Sequence, residues 1–127
     1  MELSEETRKD VADFQNAQQQ LQMIMMQKQQ TELQLNELQK VSEEVGKAAP
    51  DAKFFKSVGN VLVPKSKDAL AKDLASDKES LELRQGMLAK QEEKLSSRLL
   101  ELQEKLKKAE KGFSLGDGGS AKPASRR

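Results

Sequence analysis

Phe54 to Val63 reads FFKSVGNVLV, and these ten residues decide the fold. Phe54, Phe55, Val58, Val61, Leu62 and Val63 are apolar residue types that favour strands, and they surround Gly59 and Asn60, the types that accept positive φ in a tight turn. Pro64 then ends the second strand, so a β-hairpin is expected over about 53–64. A lone two-stranded hairpin is marginal in water and leaves unpaired backbone groups along both edges. It is therefore expected to pair with hairpins of other chains, and closure into a barrel by several subunits satisfies every edge at once. The alternative is a loop packed on its own helices. A pair of helices has no groove that covers both faces of two strands.

On either side lie two helical arms of similar length. From residue 5 to about 46 there is no proline and no glycine before Gly46, and Gln, Glu, Leu, Met and Lys dominate. Ser4 suits the N-cap, Glu5 and Glu6 suit the positive end of the helix dipole, and Gly46 followed by Pro50 supplies a stop. The second helix is expected over about 66–110, capped by Ser66 and ended by Gly112. At ~1.5 Å per residue each arm would run roughly 63–67 Å. Residues 1–110 form one domain on this reading, and 111–127, which close with GGSAKPASRR, are expected to be a disordered tail.

The second arm carries the clearest period. Leu74, Leu81, Leu88, Leu95 and Leu102 recur every seventh residue, as coiled-coil d positions do, with Ala71, Lys78, Gln85, Glu92, Leu99 and Leu106 at a. In the first arm a matching seam reads Val11, Phe14, Gln18, Leu21, Met25, Lys28, Glu32 and Leu35, after which Leu38, Val41 and Val45 slip out of step. A parallel DNA-binding zipper is disfavoured, because no basic region precedes the leucines. A hairpin between the arms sets them antiparallel instead, so that partners have residue numbers summing to about 113 or 120. The larger value is preferred, since it places Phe14 by Leu106, Met25 by Leu95 and Lys28 by Glu92.

Composition excludes several functions. Of 127 residues, 35% are hydrophobic, 3% aromatic and 34% charged, too polar for a compact globular core but suited to extended helix. Cys, His, Trp and Tyr are absent, which removes disulfides, thiolate and imidazole ligands and the commonest general base, so neither an enzyme nor a cofactor or metal site is expected. No signal-peptide core and no long apolar run occurs, which points to a soluble, cytoplasmic protein without a membrane role. Residues 1–52 carry 5 basic and 10 acidic side chains, and residues 53–127 carry 17 and 11. Opposite halves that attract each other do not suit a nucleic-acid binder.

Read in order, these pieces resemble the β-type subunit of the prefoldin family. The resemblance rests on QNAQQQLQ at 15–22, QKQQTELQLNELQK at 27–40, FKSVGNVLV at 55–63, KDALAKDL at 67–74, KESLELR at 78–84 and KQEEKL at 90–95. Asn60 after Gly59 is closer to archaeal members, Phe55 stands where tyrosine is frequent, and Pro64 stands where others continue the strand, which shortens it by a residue or two. The fold implied is mainly α, a long antiparallel coiled coil with one β-hairpin that assembles into an intersubunit β-barrel. The resemblance further implies a hexamer of two α-type and four β-type subunits that holds unfolded proteins at the arm tips and hands them to a group II chaperonin without ATP. The alternative is a purely structural coiled-coil adaptor.

Client capture needs apolar surface that is exposed yet dispersed over several arms. Leu3, Val11, Phe14, Leu102, Leu106, Phe113 and Leu115 are the candidates near the tip, although Phe14, Leu102 and Leu106 equally suit the coiled-coil core. Met25 is assigned to the seam, with Met23, Ile24 and Met26 partly exposed. The assembly residues are Phe54, Phe55, Val58, Gly59, Asn60, Val61, Leu62 and Val63.

Overall fold

The computed structural model describes residues 4–116, with side chains through Glu110. Its elements are α1 (Glu5–Lys47), β1 (Phe54–Val58), β2 (Val61–Lys65) and α2 (Lys67–Gly116). They group into two compact units, Met26–Lys90 around the hairpin and Met1–Met25 with Gln91–Arg127 around the helix ends.

Both helices start where local chemistry directs. Ser4 caps α1, its Oγ accepting from the Thr7 N–H at 3.0 Å, and Ser66 caps α2, its Oγ accepting from the Ala69 N–H at 3.1 Å. Helix α1 ends at Lys47, one residue past Gly46. The Lys67 ammonium then donates to the carbonyls of Gly46 at 3.2 Å and Ala48 at 2.8 Å. A cation from the start of α2 thus satisfies acceptors that the end of α1 leaves open.

Two boundaries differ from expectation. Helix α2 passes Gly112 and continues to Gly116, so residues 111–116 are helix and not tail. One glycine inside a helix costs only about 1 kcal/mol relative to alanine, too little to force a stop. The remainder of the expected tail, 117–127, lies outside the described residues. Strand β2 likewise runs through Pro64 to Lys65 instead of stopping at the proline.

The register of the hairpin explains that second difference. Val58 pairs with Val61 across the Gly59–Asn60 turn, followed by Ser57 with Leu62, Lys56 with Val63, Phe55 with Pro64 and Phe54 with Lys65. Gly59 has φ +61, the left-handed region that glycine enters without a Cβ penalty. A two-residue turn makes Val58 and Val61 the hydrogen-bonded closing pair, and bonded pairs alternate from there. Phe55 and Pro64 are then a non-bonded pair. The missing proline N–H would point outward, so no bond between the two strands is lost.

The helix seams are where the sequence reading needs most revision. On α2 from Leu81 onward, Leu81, Gln85, Leu88, Glu92, Leu95, Leu99, Leu102 and Leu106 are half-buried or buried, the expected heptad, with Ser96 and Ala109 half-buried beside it. Nearer the hairpin, Leu70 is buried while Ala71 and Lys78 are exposed. On α1 the inward positions are Phe14, Ala17, Leu21, Ile24, Lys28, Thr31, Leu35, Leu38, Ser42 and Val45, an unbroken heptad. Gln18, Met25 and Glu32 are exposed, so the expected seam was displaced by one residue at every second position. No slip occurs at Leu38 and Val45; Val41 alone faces out. Met25 is 52% exposed and cannot pack by Leu95. Within the units, Asp13 meets Arg98 at 3.6 Å, numbers summing to 111, and Lys67 meets Gly46, summing to 113, close to the lower of the two offsets.

Candidate functional site: an exposed hairpin and the helix ends

The hairpin has two chemically different faces because side chains alternate along each strand. Phe54, Lys56, Val63 and Lys65 are half-buried and form the inner face. There the Asp73 carboxylate of α2 binds both lysines through one oxygen, Oδ2, at 3.2 Å from Lys65 and 3.5 Å from Lys56. The hydrogen bond from Lys65 is the main cause that holds the Asp73 pKa below its ordinary carboxylate value; burial opposes it next, and the charges of Lys56 and Lys65 add to the lowering. This three-residue cluster fixes the hairpin on the first turns of α2.

The outer face is apolar and uncovered. Phe55 and Leu62 are 58% and 66% exposed on that face, while Val58 and Val61, which the register places on the same face as Lys56 and Val63, are 56% and 61% exposed beside the turn. Four large apolar residues lie open within eight positions of a strand pair. Isolated exposed hydrophobes are ordinary, but several grouped on both faces of one strand pair suit an interaction surface. Of the expected assembly residues, Phe54 and Val63 face inward, Gly59 and Asn60 make the turn, and Phe55, Val58, Val61 and Leu62 supply the exposed surface.

The unit at the helix ends is organised differently. Leu102 is fully buried at 0% exposure, and Val11, Phe14 and Leu106 are half-buried. As described, these four are packing residues first. Leu3 lies outside the described residues, and the side chains of Phe113 and Leu115 do too. An exposed residue that the sequence reading passed over is Leu100, at 63%. The signal was available: Leu99 and Leu100 are adjacent, and a helix that buries one turns the other away. Met23 and Met26 are exposed as expected, whereas Ile24 and Met25 exchange the roles assigned to them.

Among the described residues no cluster of acidic side chains could hold a metal ion. No described helix is long and apolar enough to cross a membrane. The grooves along the helices are shallow and mixed in character: one is lined by Leu38, Val41, Leu74 and Leu81 with Gln34 and Glu37. Another, lined by Asp13, Asn16, Ala17, Gln20, Leu95 and Arg98, is more polar.

Comparison with known proteins agrees with this architecture. The prefoldin subunit family matches residues 8–112. A prefoldin subunit beta of Pyrobaculum arsenaticum is 44% identical over 95 residues, covering 75% of this chain and 77% of that protein. A prefoldin subunit beta of Archaeoglobus fulgidus is 39% identical over 105 residues, covering 83% and 90%. The crystal structure of the prefoldin beta subunit from Thermococcus strain KS-1 superposes with a TM-score of 0.75 at 32% identity, covering 85% of this chain and 95% of that one. With two long helices, a single hairpin open on its outer face and this likeness across most of its length, the chain belongs to the prefoldin family of non-enzymatic chaperones and is similar to its β subunits.

Proposed function

We propose that the chain is a β-type subunit of a hetero-oligomeric prefoldin, built from two α-type and four β-type subunits, that acts as an ATP-independent holdase in the cytoplasm. The hairpin joins the subunit to its neighbours in a β-barrel body. The helix ends hold unfolded proteins, which then pass to a group II chaperonin. The observation that carries the reading is the contrast in burial: helix seams closed on themselves, and a hairpin with an open apolar face and two free edges.

Client binding at the helix ends would combine Leu3, Val11, Phe14, Leu106, Phe113 and Leu115 with Leu100, an exposed large apolar side chain of the same unit. Leu102 contributes only where the two helices part. Each contact is weak, and several subunits acting together raise the effective concentration of binding surface. Trimming residues 1–14 and 103–127 in the assembled complex tests this by light scattering of an aggregating client. The trimmed complex should keep its mass and lose suppression. A full-length complex that fails to suppress aggregation would leave only a structural coiled-coil scaffold.

A further inference from the structure

All the sulfur in this chain is methionine sulfur. There are five methionines and no cysteine, so no thiol competes with the thioethers for an oxidant. Met1 lies outside the described residues. The other four are all open to solvent: Met23 is 59% exposed, Met25 52%, Met26 69% and Met87 62%.

This placement runs against the usual employment of the residue. Methionine is flexible and apolar, and it commonly fills gaps in hydrophobic cores. Here the inward positions of both helices are taken by Leu, Ile, Val, Phe, Ala and a few polar residues, and none by methionine. Neighbouring positions show the contrast most sharply. Ile24 turns inward while Met23 and Met25 on either side turn out, and Leu88 is buried while Met87 before it is open. Three of the four also stand on an uncharged surface. No charged residue occurs between Asp13 and Lys28, and the large apolar side chains exposed along that stretch are Met23, Met25 and Met26.

We infer that Met23, Met25, Met26 and Met87 are reversible oxidation sites, each taking one oxygen from a peroxide or hypohalous acid and turning apolar surface polar while the helix seam stays closed. With hydrogen peroxide, the sulfur lone pair attacks one oxygen, and an S–O bond forms as the O–O bond breaks. The transferred hydroxyl gives its proton to the departing hydroxide, which leaves as water. Sulfur has then lost two electrons and the peroxide has gained them. The product, a methionine sulfoxide, is polar and chiral, and inside a core it disrupts packing. At these four positions its oxygen meets water instead. Methionine sulfoxide reductases, one for each epimer, reverse the step, with two thiols becoming a disulfide as the oxygen leaves in water. The inference holds whether or not the chain assembles.

The test is treatment of the full chain with hydrogen peroxide, followed by peptide mass mapping, with a short unstructured methionine peptide as the reference for an open thioether. Each of the four should gain one oxygen at a rate within about tenfold of the reference, and a slower rate at any of them overturns the assignment. The oxidised chain should keep its helical circular dichroism and melt within about 5 °C of the untreated chain. A larger fall shows sulfoxides disturbing the seam and overturns the inference. The quadruple variant Met23→Leu, Met25→Leu, Met26→Leu, Met87→Leu keeps apolar, helix-favouring side chains without their sulfur. Under the same treatment it should gain only the oxygen of Met1, and further uptake overturns the inference by showing that other groups consume the oxidant. Incubation of the oxidised wild type with both reductases and dithiothreitol should return all four positions to their starting mass. Sulfoxide that persists there overturns the reversibility.

Discussion

The unit around the hairpin and the unit around the helix ends both expose large apolar side chains, but in different patterns. At the hairpin, Phe55 and Leu62 on one face and Val58 and Val61 on the other are held by one strand pair, which the Asp73 cluster fixes to α2. In the unit around the helix ends, Leu102 is closed in the seam, while Met23, Met25 and Leu100 are exposed at separate positions. Apolar residues grouped on a fixed element can bury a defined area against a defined partner. Scattered apolar residues on helices can offer only small, repeated contacts, which suits partners of no fixed shape. The difference separates assembly from client holding along one chain.

Substitutions in each unit can break or sharpen that contrast. The largest effect is expected from Val61→Asp, which places a charge in the patch: the oligomer should be lost by native mass spectrometry while the helical circular dichroism signal stays. Leu102→Ala removes a fully buried side chain. It should cost about 2–5 kcal/mol of local stability, read as faster amide exchange in residues 95–109. Leu100→Ala on the neighbouring exposed position should stay within about 0.5 kcal/mol, and equal effects at the two would erase the distinction between seam and surface.

Smaller effects are expected from the Asp73 cluster. Its partly exposed ion pairs are individually weak, so Asp73→Asn should loosen the hairpin modestly and weaken assembly several-fold at low salt and less at high salt. The folded-state pKa of Asp73 is lowered, so its contribution is fully present above the ordinary carboxylate value. That contribution fades as pH falls through the lowered value. Assembly of the wild type should therefore lose this increment on acidification below the ordinary carboxylate range, and Asp73→Asn should not show that step. Thr31→Val is expected to change stability least, by less than about 1 kcal/mol, with thermal melting as the readout. Thr31 is buried, but its hydroxyl donates to the Gln27 carbonyl of its own helix at 2.8 Å and holds nothing across the seam.

How far the chain explains itself differs by element. Ser4 and Ser66 were readable as caps because capping is local chemistry, and the Gly59–Asn60 turn was readable for the same reason. The α2 seam was readable because leucine marks it every seventh residue. The α1 seam was misread because two of its inward positions, Ala17 and Thr31, are small or hydroxyl-bearing, while Met25 looked more apolar than Ile24 was distinctive. Hydropathy alone cannot reveal the burial of a small residue. Pro64 was taken as a strand terminator because its position in the ladder depends on pairing, which one strand does not display. The bonds of Lys67 to Gly46 and Ala48, and the grip of Asp73 on two lysines, join residues far apart in sequence and became visible only in the fold.

The central claim is that the open hairpin is covered by another subunit. Amide exchange measured on the chain alone and on its complex with a prefoldin α-type subunit tests it most directly. The account predicts that the outward-pointing amides of Phe55 and Ser57 exchange freely in the lone chain and become strongly protected in the complex. Equal exchange at those two amides in both states would contradict it.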